Sequence, residues 1–352
     1  MSLTTKLKEH ALRHGIDLIG VTSAKPFEVD GWAGPIVKPR SYLKNAKSVV
    51  VFGYYQLDKQ LIESSKAEQP RGRLIPGTKV FFSMYEYCSA VITEYLKEKG
   101  HNAVRRRLDD KLPLKALAVK AGLGMYGKNS IVHFERYGSW VQLGCVITDA
   151  SLETEDRSYR LSDCGDCTKC IEACPTQAIE EPYRVVPSLC IAGLLDNGGF
   201  VPGNIREKVG NRLCGCDICQ KVCPMNHGLT PRSRYPVEVD GTPDNPELIP
   251  LLLGDEEYCK TVFPNIVPEL MHIPTVRRNA ALALGNTGNS MAVPSLVRGL
   301  SDPDSTLRLY AAWALGKIGS EEARAALTSS LCSEVDEEVK EEMRVALKIE
   351  RG

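Results

Sequence analysis

The cysteines constrain this chain more than any other feature of its sequence. Nine of the thirteen cysteines fall within the 60 residues 164–223, and the first four follow the spacing Cys164-x2-Cys167-x2-Cys170-x3-Cys174-Pro175. This is the spacing of a bacterial ferredoxin loop, in which three thiolates bind one 4Fe-4S cluster and the fourth binds a neighbouring cluster. The sequence therefore predicts an α+β ferredoxin-like domain with iron–sulfur chemistry.

A second cysteine run completes a pair of clusters. It reads Cys216-x2-Cys219-x3-Cys223-Pro224 and lacks one cysteine of the first pattern, which Cys190 upstream can replace. Each loop of a two-cluster ferredoxin supplies one ligand to the other cluster, so the eight thiolates sort into two crossed sets. The predicted ligands of the first 4Fe-4S cluster are Cys164, Cys167, Cys170 and Cys223. The predicted ligands of the second are Cys174, Cys190, Cys216 and Cys219.

Zinc is the alternative occupant, since repeated CxxC also suits tetrahedral zinc. A zinc site does not need a three-cysteine run followed by Cys-Pro, so two iron–sulfur clusters fit the pattern better. Cys214 stands two residues before Cys216, too close for the cubane spacing, and we interpret it as a free thiol. The scattered cysteines are interpreted as small buried side chains. They are Cys88, Cys145, Cys259 and Cys332.

Composition and charge set the broad class of the protein. The chain has 352 residues, of which 43% are hydrophobic, with 44 basic and 44 acidic side chains. Its length predicts two or three domains. The first ten residues carry Lys6, Lys8 and Glu9 rather than an apolar leader, so we expect a cytoplasmic protein without a membrane partner. Balanced charge gives no global attraction to nucleic acid, and such a partner would need a local patch.

The amino-terminal part, residues 1–157, is predicted to be an α/β domain. Segments with helical spacing alternate there with short, β-branched segments bounded by turn residues. The predicted elements are a helix from Leu3 to Gly15, strands over 17–22, 48–53 and 139–148, and a helix over 84–99.

The carboxyl-terminal part, residues 275–352, contains an internal repeat. Residues 276–288 match residues 307–319 at an offset of 31, and each copy is followed by a second apolar-striped helix. Two-helix units of this length resemble HEAT repeats, which stack into an all-α solenoid. So few repeats are not expected to fold alone, and we expect them to pack on the preceding domain. Before them come the cysteine domain, 158–235, and a connecting segment, 236–274.

Two further patterns are interpreted as structural. The glycine-containing segment 122–127 matches GxGxxG in letters, but it follows the helical stretch Leu114 to Lys120 rather than a strand, which argues against a dinucleotide site. The six histidines are interpreted as ordinary surface or core residues.

Five segments together carry a resemblance to a known family. They are 112–129, Tyr137-Gly-Ser-Trp140, 163–167, 173–179 and 215–224. These segments resemble the epoxyqueuosine reductase family. The resemblance implies an amino-terminal domain that binds cobalamin, two clusters that deliver electrons to it, and reduction of epoxyqueuosine in tRNA to queuosine. It further implies tRNA as a partner and an external electron donor such as a ferredoxin or flavodoxin.

The resemblance also implies site residues. The family carries a carboxylate in an Asp-x-Gly-Pro-like stretch as proton donor, and the corresponding stretch here, 107–113, offers Asp109 or Asp110. In their charged surroundings these two are just as readily a solvated turn. Lys128 and Asn129 follow the glycine segment. They either contact the edge of a cofactor or end a turn, a position where asparagine is common. The candidates for cofactor binding are Lys128, Asn129, Ser139 and Trp140.

Departures from the family pattern leave the substrate open. The proton-donor stretch is displaced, and the motif that follows Arg71 to Arg73 in the family is replaced by residues 76–82. The alternatives are a related corrinoid reductase that acts on a small molecule, and a two-cluster electron-transfer protein without its own substrate.

Arginine pairs are the local patches that tRNA phosphates would need. Such pairs can bind phosphates, although short charged runs are more often solvated surface. The pairs and runs are Arg71 with Arg73, Arg105 to Arg107, Arg232 with Arg234, and Arg277 with Arg278.

Overall fold

The computed structural model describes residues 1–26, 38–57, 70–75, 78–106, 112–157, 161, 164–238, 243, 245–263 and 272–348. The chain divides into two compact units. The first comprises Met1–Lys59, Pro76–Val186 and Asp217–Asp240, and the second comprises Gln60–Ile75, Pro187–Cys216 and Gly241–Gly352. The cysteine region contributes to both units, and the predicted domain boundaries stay a prediction.

The helices and strands are numbered along the chain. The strands are β1 (Leu18–Ser23), β2 (Ser48–Tyr55), β3 (Ala103–Arg105), β4 (Met125–Tyr126), β5 (Val132–His133), β6 (Val141–Thr148), β7 (Ile179–Glu181) and β8 (Arg184–Val185). The helices of the first unit are α1 (Leu3–Arg13), α2 (Phe81–Glu98), α3 (Leu114–Lys120), α4 (Lys169–Glu172) and α7 (Ile218–Lys221). The helices of the second are α5 (Ile191–Asp196), α6 (Gly203–Val209), α8 (Leu248–Leu253), α9 (Glu256–Val262), α10 (Ile273–Thr287), α11 (Val293–Gly299), α12 (Ser305–Ile318), α13 (Glu321–Ser333) and α14 (Glu337–Lys348).

The first unit is built on a four-stranded sheet in the order β1-β2-β6-β3. Every neighbouring pair is antiparallel, with Val50 opposite Val21 on one side and opposite Val146 on the other. The predicted strands and helices of this region are present, but their alternation along the chain does not reveal that the sheet is antiparallel.

Strand β2 forms the middle of this unit and is buried along all eight of its residues. Val50 and Phe52 lie in one hydrophobic core with α1 and α2, whereas Val49 and Val51 lie in another with α3. Because alternate side chains of a strand point to opposite faces, a strand covered on both faces needs apolar residues at every position. The continuous run of β-branched residues in the sequence has this cause.

The second unit contains the HEAT repeats. Helices α10 and α12, the two matching copies of the sequence repeat, contact each other, and α12 contacts α14. Helices α10 and α12 end at Gly288 and Gly319, both in the left-handed conformation that glycine adopts readily. Helix α10 also contacts α5, α6 and α8. The expectation that the repeats pack on preceding segments is therefore confirmed within this unit.

Among the helices of the described residues, none combines the length and the apolar character needed to cross a membrane.

Candidate cofactor site

A cavity of about 510 Å³ lies in the first unit. One side is formed by the glycine segment and by residues that follow it, through β5. The other side is bordered by cysteines from both runs of the sequence. These cysteines are Cys164, Cys167, Cys170 and Cys223. The structure thus brings together the four members of the predicted first ligand set.

The four thiols are close enough to influence one another. Burial raises the pKa of Cys170, and Cys223 and Cys164 act in the same direction. Burial also raises the pKa of Cys223, to which Cys164 and Cys167 add. Four thiols around one cavity are the donor set of a 4Fe-4S cluster. The residues present therefore fit the cluster that the spacing predicts.

Lys128 holds the first cysteine loop from the opposite wall of the cavity. Its Nζ donates to the carbonyl oxygens of Gly165 at 2.6 Å and Cys167 at 3.1 Å. The sequence predicted Lys128 to bind a cofactor. In the structure two of its three donors are used on the backbone between ligand cysteines, so Lys128 positions the loop.

Asn129 and His133 present unpartnered polar atoms within the same wall. Each residue is only 4% exposed. Asn129 Oδ1 accepts the backbone N–H of Ile131 at 3.2 Å, but Asn129 Nδ2 and both ring nitrogens of His133 have no hydrogen-bond partner. Buried polar atoms without partners are rare in folded proteins, and they are found where a ligand or water completes the site.

His133 was missed by the sequence interpretation, which treated the histidines as ordinary residues. The local signal is weak: His133 stands in the apolar run Ile131-Val-His-Phe134 without any sequence partner. Its missing partners are a property of the packing, and only the structure shows them.

The glycine segment makes room for this wall. A Cβ on Gly127 would lie 2.6 Å from His133 Nε2, and a Cβ on Gly124 would lie 2.5 Å from the His133 carbonyl oxygen. Both distances are shorter than real Cβ contacts, so these two positions require glycine if His133 is to keep its place. The GxGxxG letters therefore serve close packing, which agrees with the interpretation that they do not form a dinucleotide site.

The predicted second ligand set is divided between the units. Cys174 and Cys219 belong to the first unit, Cys190 and Cys216 to the second. The Cys174 sulfur accepts the backbone N–H of Ala178 at 3.2 Å and lies 3.6 Å from the Thr176 hydroxyl oxygen. In the second unit Cys190 is the N-cap residue of α5.

Comparisons with known proteins agree with these features. A family model described as a 4Fe-4S double cluster binding domain matches residues 163–226, and one described as HEAT repeats matches residues 273–348. The epoxyqueuosine reductase of Bacillus subtilis (strain 168) is 32% identical over 99% of this chain and 95% of its own length. That of Bacillus anthracis is 32% identical over 95% of this chain and 94% of its own length. This chain belongs to the epoxyqueuosine reductase family.

Solved structures of the family share the whole fold. A crystal structure of epoxyqueuosine reductase with an epoxyqueuosine-modified tRNA-Tyr stem loop is 30% identical, with a TM-score of 0.85 over 99% of both chains. A Bacillus subtilis epoxyqueuosine reductase with its catalytic aspartate loop swung out of the active site gives 0.83 at 30% identity, over 99% of this chain and 98% of that one. The resemblance, the double-cluster domain and the HEAT repeats predicted from the sequence are confirmed.

In this epoxyqueuosine reductase family member, Ser139 and Trp140 contact other residues of the protein. The Ser139 backbone N–H donates to Asn226 Oδ1 at 2.7 Å, and Ser139 Oγ donates to Gln220 Oε1 at 3.1 Å. Trp140 is buried in a small core with Tyr55 and Leu57. Neither residue lines the cavity, so their predicted role in cofactor binding stays a prediction. The contacts of Ser139 instead connect the sheet to the second cysteine run.

The predicted proton donors, Asp109 and Asp110, lie outside the described residues. The described residues stop at Arg106, directly after β3, and begin again at Leu112. There the Arg106 carbonyl accepts the Tyr85 hydroxyl at 2.5 Å, which fixes the end of that strand against α2.

The arginine pairs are mostly engaged within the protein. Arg278 is 1% exposed, and its guanidinium donates to the carbonyls of Leu194 at 2.9 Å and Leu195 at 3.1 Å. The hypothesis that Arg277 and Arg278 bind phosphates is therefore wrong for Arg278. Arg277 is partly buried and pairs with Asp302. Sequence alone could not separate the two, because a buried and a partly buried arginine look the same in a helix repeat.

Proposed function

We propose that this protein is a cobalamin-dependent iron–sulfur reductase that converts epoxyqueuosine in tRNA to queuosine. The observation that carries the proposal is family membership over the full chain, together with the four cysteines that border one cavity. Loss of the epoxide oxygen as water requires two electrons and two protons. Two clusters that each pass single electrons suit such a reaction.

The ligand assignment of the clusters follows the crossed sets. Cys164, Cys167, Cys170 and Cys223 hold the first cluster, because their thiols share the cavity. The second cluster is assigned to the remaining set by spacing alone. Its members are Cys174, Cys190, Cys216 and Cys219.

The chain's own residues also fit a cobalamin beside the first cluster. His133 and Asn129 line the cavity and have polar side-chain atoms without a protein partner, and Lys128 keeps the neighbouring cysteine loop in place. When bound, the cobalt supplies two-electron reducing chemistry at a carbon–oxygen bond. The protein's part is to orient the cofactor, exclude water and deliver protons.

A carboxylic acid is needed where the oxygen leaves. Asp109 and Asp110 are the residues of the family's proton-donor stretch in this chain, and a positioned acid contributes roughly a hundredfold or more to such a step. Asp109→Asn and Asp110→Asn, tested separately, distinguish the two. If both variants keep full activity, the proton comes from another group.

The proposed partners are tRNA and an external reductant of the ferredoxin or flavodoxin type, and the proposed location is the cytoplasm. A related structure contains an epoxyqueuosine-modified tRNA stem loop, which supports a tRNA substrate. Arg278 is not among the basic residues available to tRNA phosphates, because its guanidinium donates to backbone carbonyls inside the protein.

Reconstitution tests the proposal. Protein purified without oxygen should contain about eight irons per chain, as two 4Fe-4S clusters require, and should take up cobalamin. With a chemical reductant it should remove one oxygen atom from the modified nucleoside of epoxyqueuosine tRNA, measured by mass spectrometry. Iron without corrinoid uptake would leave an electron-transfer protein, and corrinoid uptake without tRNA conversion would favour a small-molecule reductase.

A further inference from the structure

Helix α1 ends in two histidines that share one face of the helix. His10 and His14 are four residues apart in the sequence, and the centroids of their rings lie 4.2 Å apart. Residues at this spacing are neighbours on the surface of a helix. The interpretation of each histidine as an ordinary residue did not consider the pair, which places two imidazoles side by side on the first unit.

A hydrogen bond fixes the protonation of the His14 ring. Its Nδ1 lies 2.7 Å from the carbonyl oxygen of His10, and a carbonyl oxygen only accepts, so Nδ1 carries the hydrogen. In the neutral ring, Nε2 then keeps its lone pair. A histidine that binds a metal almost always donates its other ring N–H to a carboxylate, a carbonyl or water. His14 is therefore oriented as a metal ligand is, and the Tyr87 hydroxyl holds its backbone by donating to the His14 carbonyl at 3.0 Å.

The His10 ring keeps both of its nitrogens available. It packs against Tyr95, with ring centroids 4.5 Å apart, and its nitrogens make no hydrogen bond to any residue that the structure describes. Burial lowers the pKa of His10, and His14 and Arg13 act in the same direction. The His10 ring is therefore neutral near pH 7, which is the form of imidazole that binds metal ions.

The charges around the pair partly cancel. Arg13 and Lys99 oppose a positive charge at His10, whereas Glu98 favours one. Helix α1 is 11 residues long, and the partial negative charge at the carboxyl end of a helix also favours a cation. Because the opposing and the favourable influences are similar in number, we expect a metal ion at this place to bind with moderate affinity.

We propose that His10 and His14 together bind one divalent metal ion of the nickel, copper and zinc class, with water at its remaining positions. Imidazole suits these ions, whereas Mg²⁺ prefers oxygen ligands. Two imidazole nitrogens that bind one zinc ion at about 2.0–2.1 Å lie about 3.3 Å from each other, and small rotations of rings whose centroids are 4.2 Å apart reach that separation. The site is independent of the proposed reductase function, since neither histidine lines the cavity.

Nickel binding to the tag-free protein with both clusters in place tests the proposal. A calorimetric titration with NiCl₂ should detect a site for one ion per chain. His14→Ala and His10→Ala should each weaken this binding at least about tenfold, because a chelate loses most of its affinity with either ligand. His14 is exposed, so His14→Ala should fold even if His10→Ala, which removes a packed ring, does not. The matched control is His272→Ala, since His272 is exposed and has no histidine one helical turn away.

The double variant and Mg²⁺ distinguish one shared site from two independent ones. Either single substitution already destroys a shared site, so the variant that combines His10→Ala and His14→Ala should bind nickel little more weakly than either single variant. Two independent histidines would instead give losses that add. An excess of Mg²⁺ should not displace the nickel, because Mg²⁺ does not favour imidazole.

Four results would overturn the site. They are an unchanged nickel affinity in His14→Ala, an equal loss of affinity in His272→Ala, additive losses in the double variant, and displacement of nickel by Mg²⁺. Activity on epoxyqueuosine tRNA is a separate readout, and its absence would count against the proposed function without changing the nickel titration.

Discussion

Asn226 binds Ser139 through both polar atoms of its side chain. Its Oδ1 accepts the Ser139 backbone N–H at 2.7 Å, and its Nδ2 donates to Ser139 Oγ at 2.8 Å and to the Gln220 carbonyl at 2.7 Å. Asn226 follows Cys223 by three residues, and its backbone N–H donates to the Cys223 carbonyl at 3.0 Å. One amide side chain thus connects the segment before β6 to a cysteine of the first set.

Asn226→Ala should loosen this connection. We expect a loss of about 1–3 kcal/mol in the free energy of unfolding, because the partners of the amide become unpaired. The electron paramagnetic resonance spectrum of the reduced first cluster should also broaden. Asn197→Ala is the matched control, since Asn197 Nδ2 makes a single exposed hydrogen bond to the Gly193 carbonyl at 2.7 Å. Equal effects of the two variants would contradict a specific role for Asn226.

Thr176→Val should lower the reduction potential of the second cluster. The Thr176 hydroxyl lies 3.6 Å from the Cys174 sulfur, and hydrogen bonds to cluster sulfurs favour the more negative, reduced state. If that bond strengthens by about 1 kcal/mol on reduction, its loss corresponds to roughly 40 mV for a one-electron couple. A redox titration followed by electron paramagnetic resonance measures the shift. Thr176→Ser keeps the hydroxyl and should retain the potential, and an equal shift in both variants would count against the bond.

Asn279→Leu should release part of the second cluster. Asn279 Nδ2 donates to the carbonyls of Leu195 at 3.0 Å and Leu213 at 2.8 Å, on segments that carry Cys190 and Cys216. We expect a loss of about 1–3 kcal/mol in stability, because the Leu213 carbonyl loses its side-chain donor while the Leu195 carbonyl keeps that of Arg278. Iron content should fall from about eight toward four per chain.

The control for Asn279 lies two turns further along the same helix. Asn286 Nδ2 donates to the carbonyls of Arg206 at 2.8 Å and Gly210 at 2.9 Å, on a segment further from the cysteines. Asn286→Leu removes the same kind of contact and should cost similar stability while keeping both clusters. Iron loss in both variants would show that general destabilisation, rather than the position of the two cysteines, is responsible.

The HEAT repeats should lose stability in acid through one ion pair. Both oxygens of Glu334 accept from Arg308, at 2.7 and 2.9 Å, and this pairing lowers the pKa of Glu334 to about 2. Because the folded pKa lies below the unfolded one, the stabilisation is complete above about pH 5 and disappears as the pH falls toward 2. We expect about 1–2 kcal/mol from this pair. Glu334→Gln should remove that part of the pH dependence in chemical denaturation between pH 5 and 3, and an unchanged slope would contradict it.

Local patterns explain which parts of the fold could be predicted. Two features could be predicted because neighbouring residues in the sequence determine them. They are the repeat that forms α10 and α12, and the continuous apolar run that forms β2. The antiparallel order is not such a feature, because the pairing of Val50 with Val146 joins distant segments.

The candidate site shows the same difference between features set by neighbouring residues and features set by contacts between distant segments. The cysteine spacing predicted that the four thiols of the first set meet, and they border one cavity, since ligand geometry limits the spacing. The second set stays a prediction. The roles of Lys128, Ser139 and His133 depend on which groups face them after folding. The prediction for Arg278 was wrong for the same reason. Its carbonyl partners come from a segment about 80 residues away in sequence, and the burial of one arginine cannot be read from its residue type.

The most direct measurement of the central claim is the nucleoside content of tRNA from cells that lack their own epoxyqueuosine reductase and express this chain. The account predicts that queuosine replaces epoxyqueuosine, and that Cys170→Ser, which removes a thiol from the cavity, abolishes the replacement. Epoxyqueuosine that persists in cells containing the chain with both clusters and cobalamin bound would contradict it.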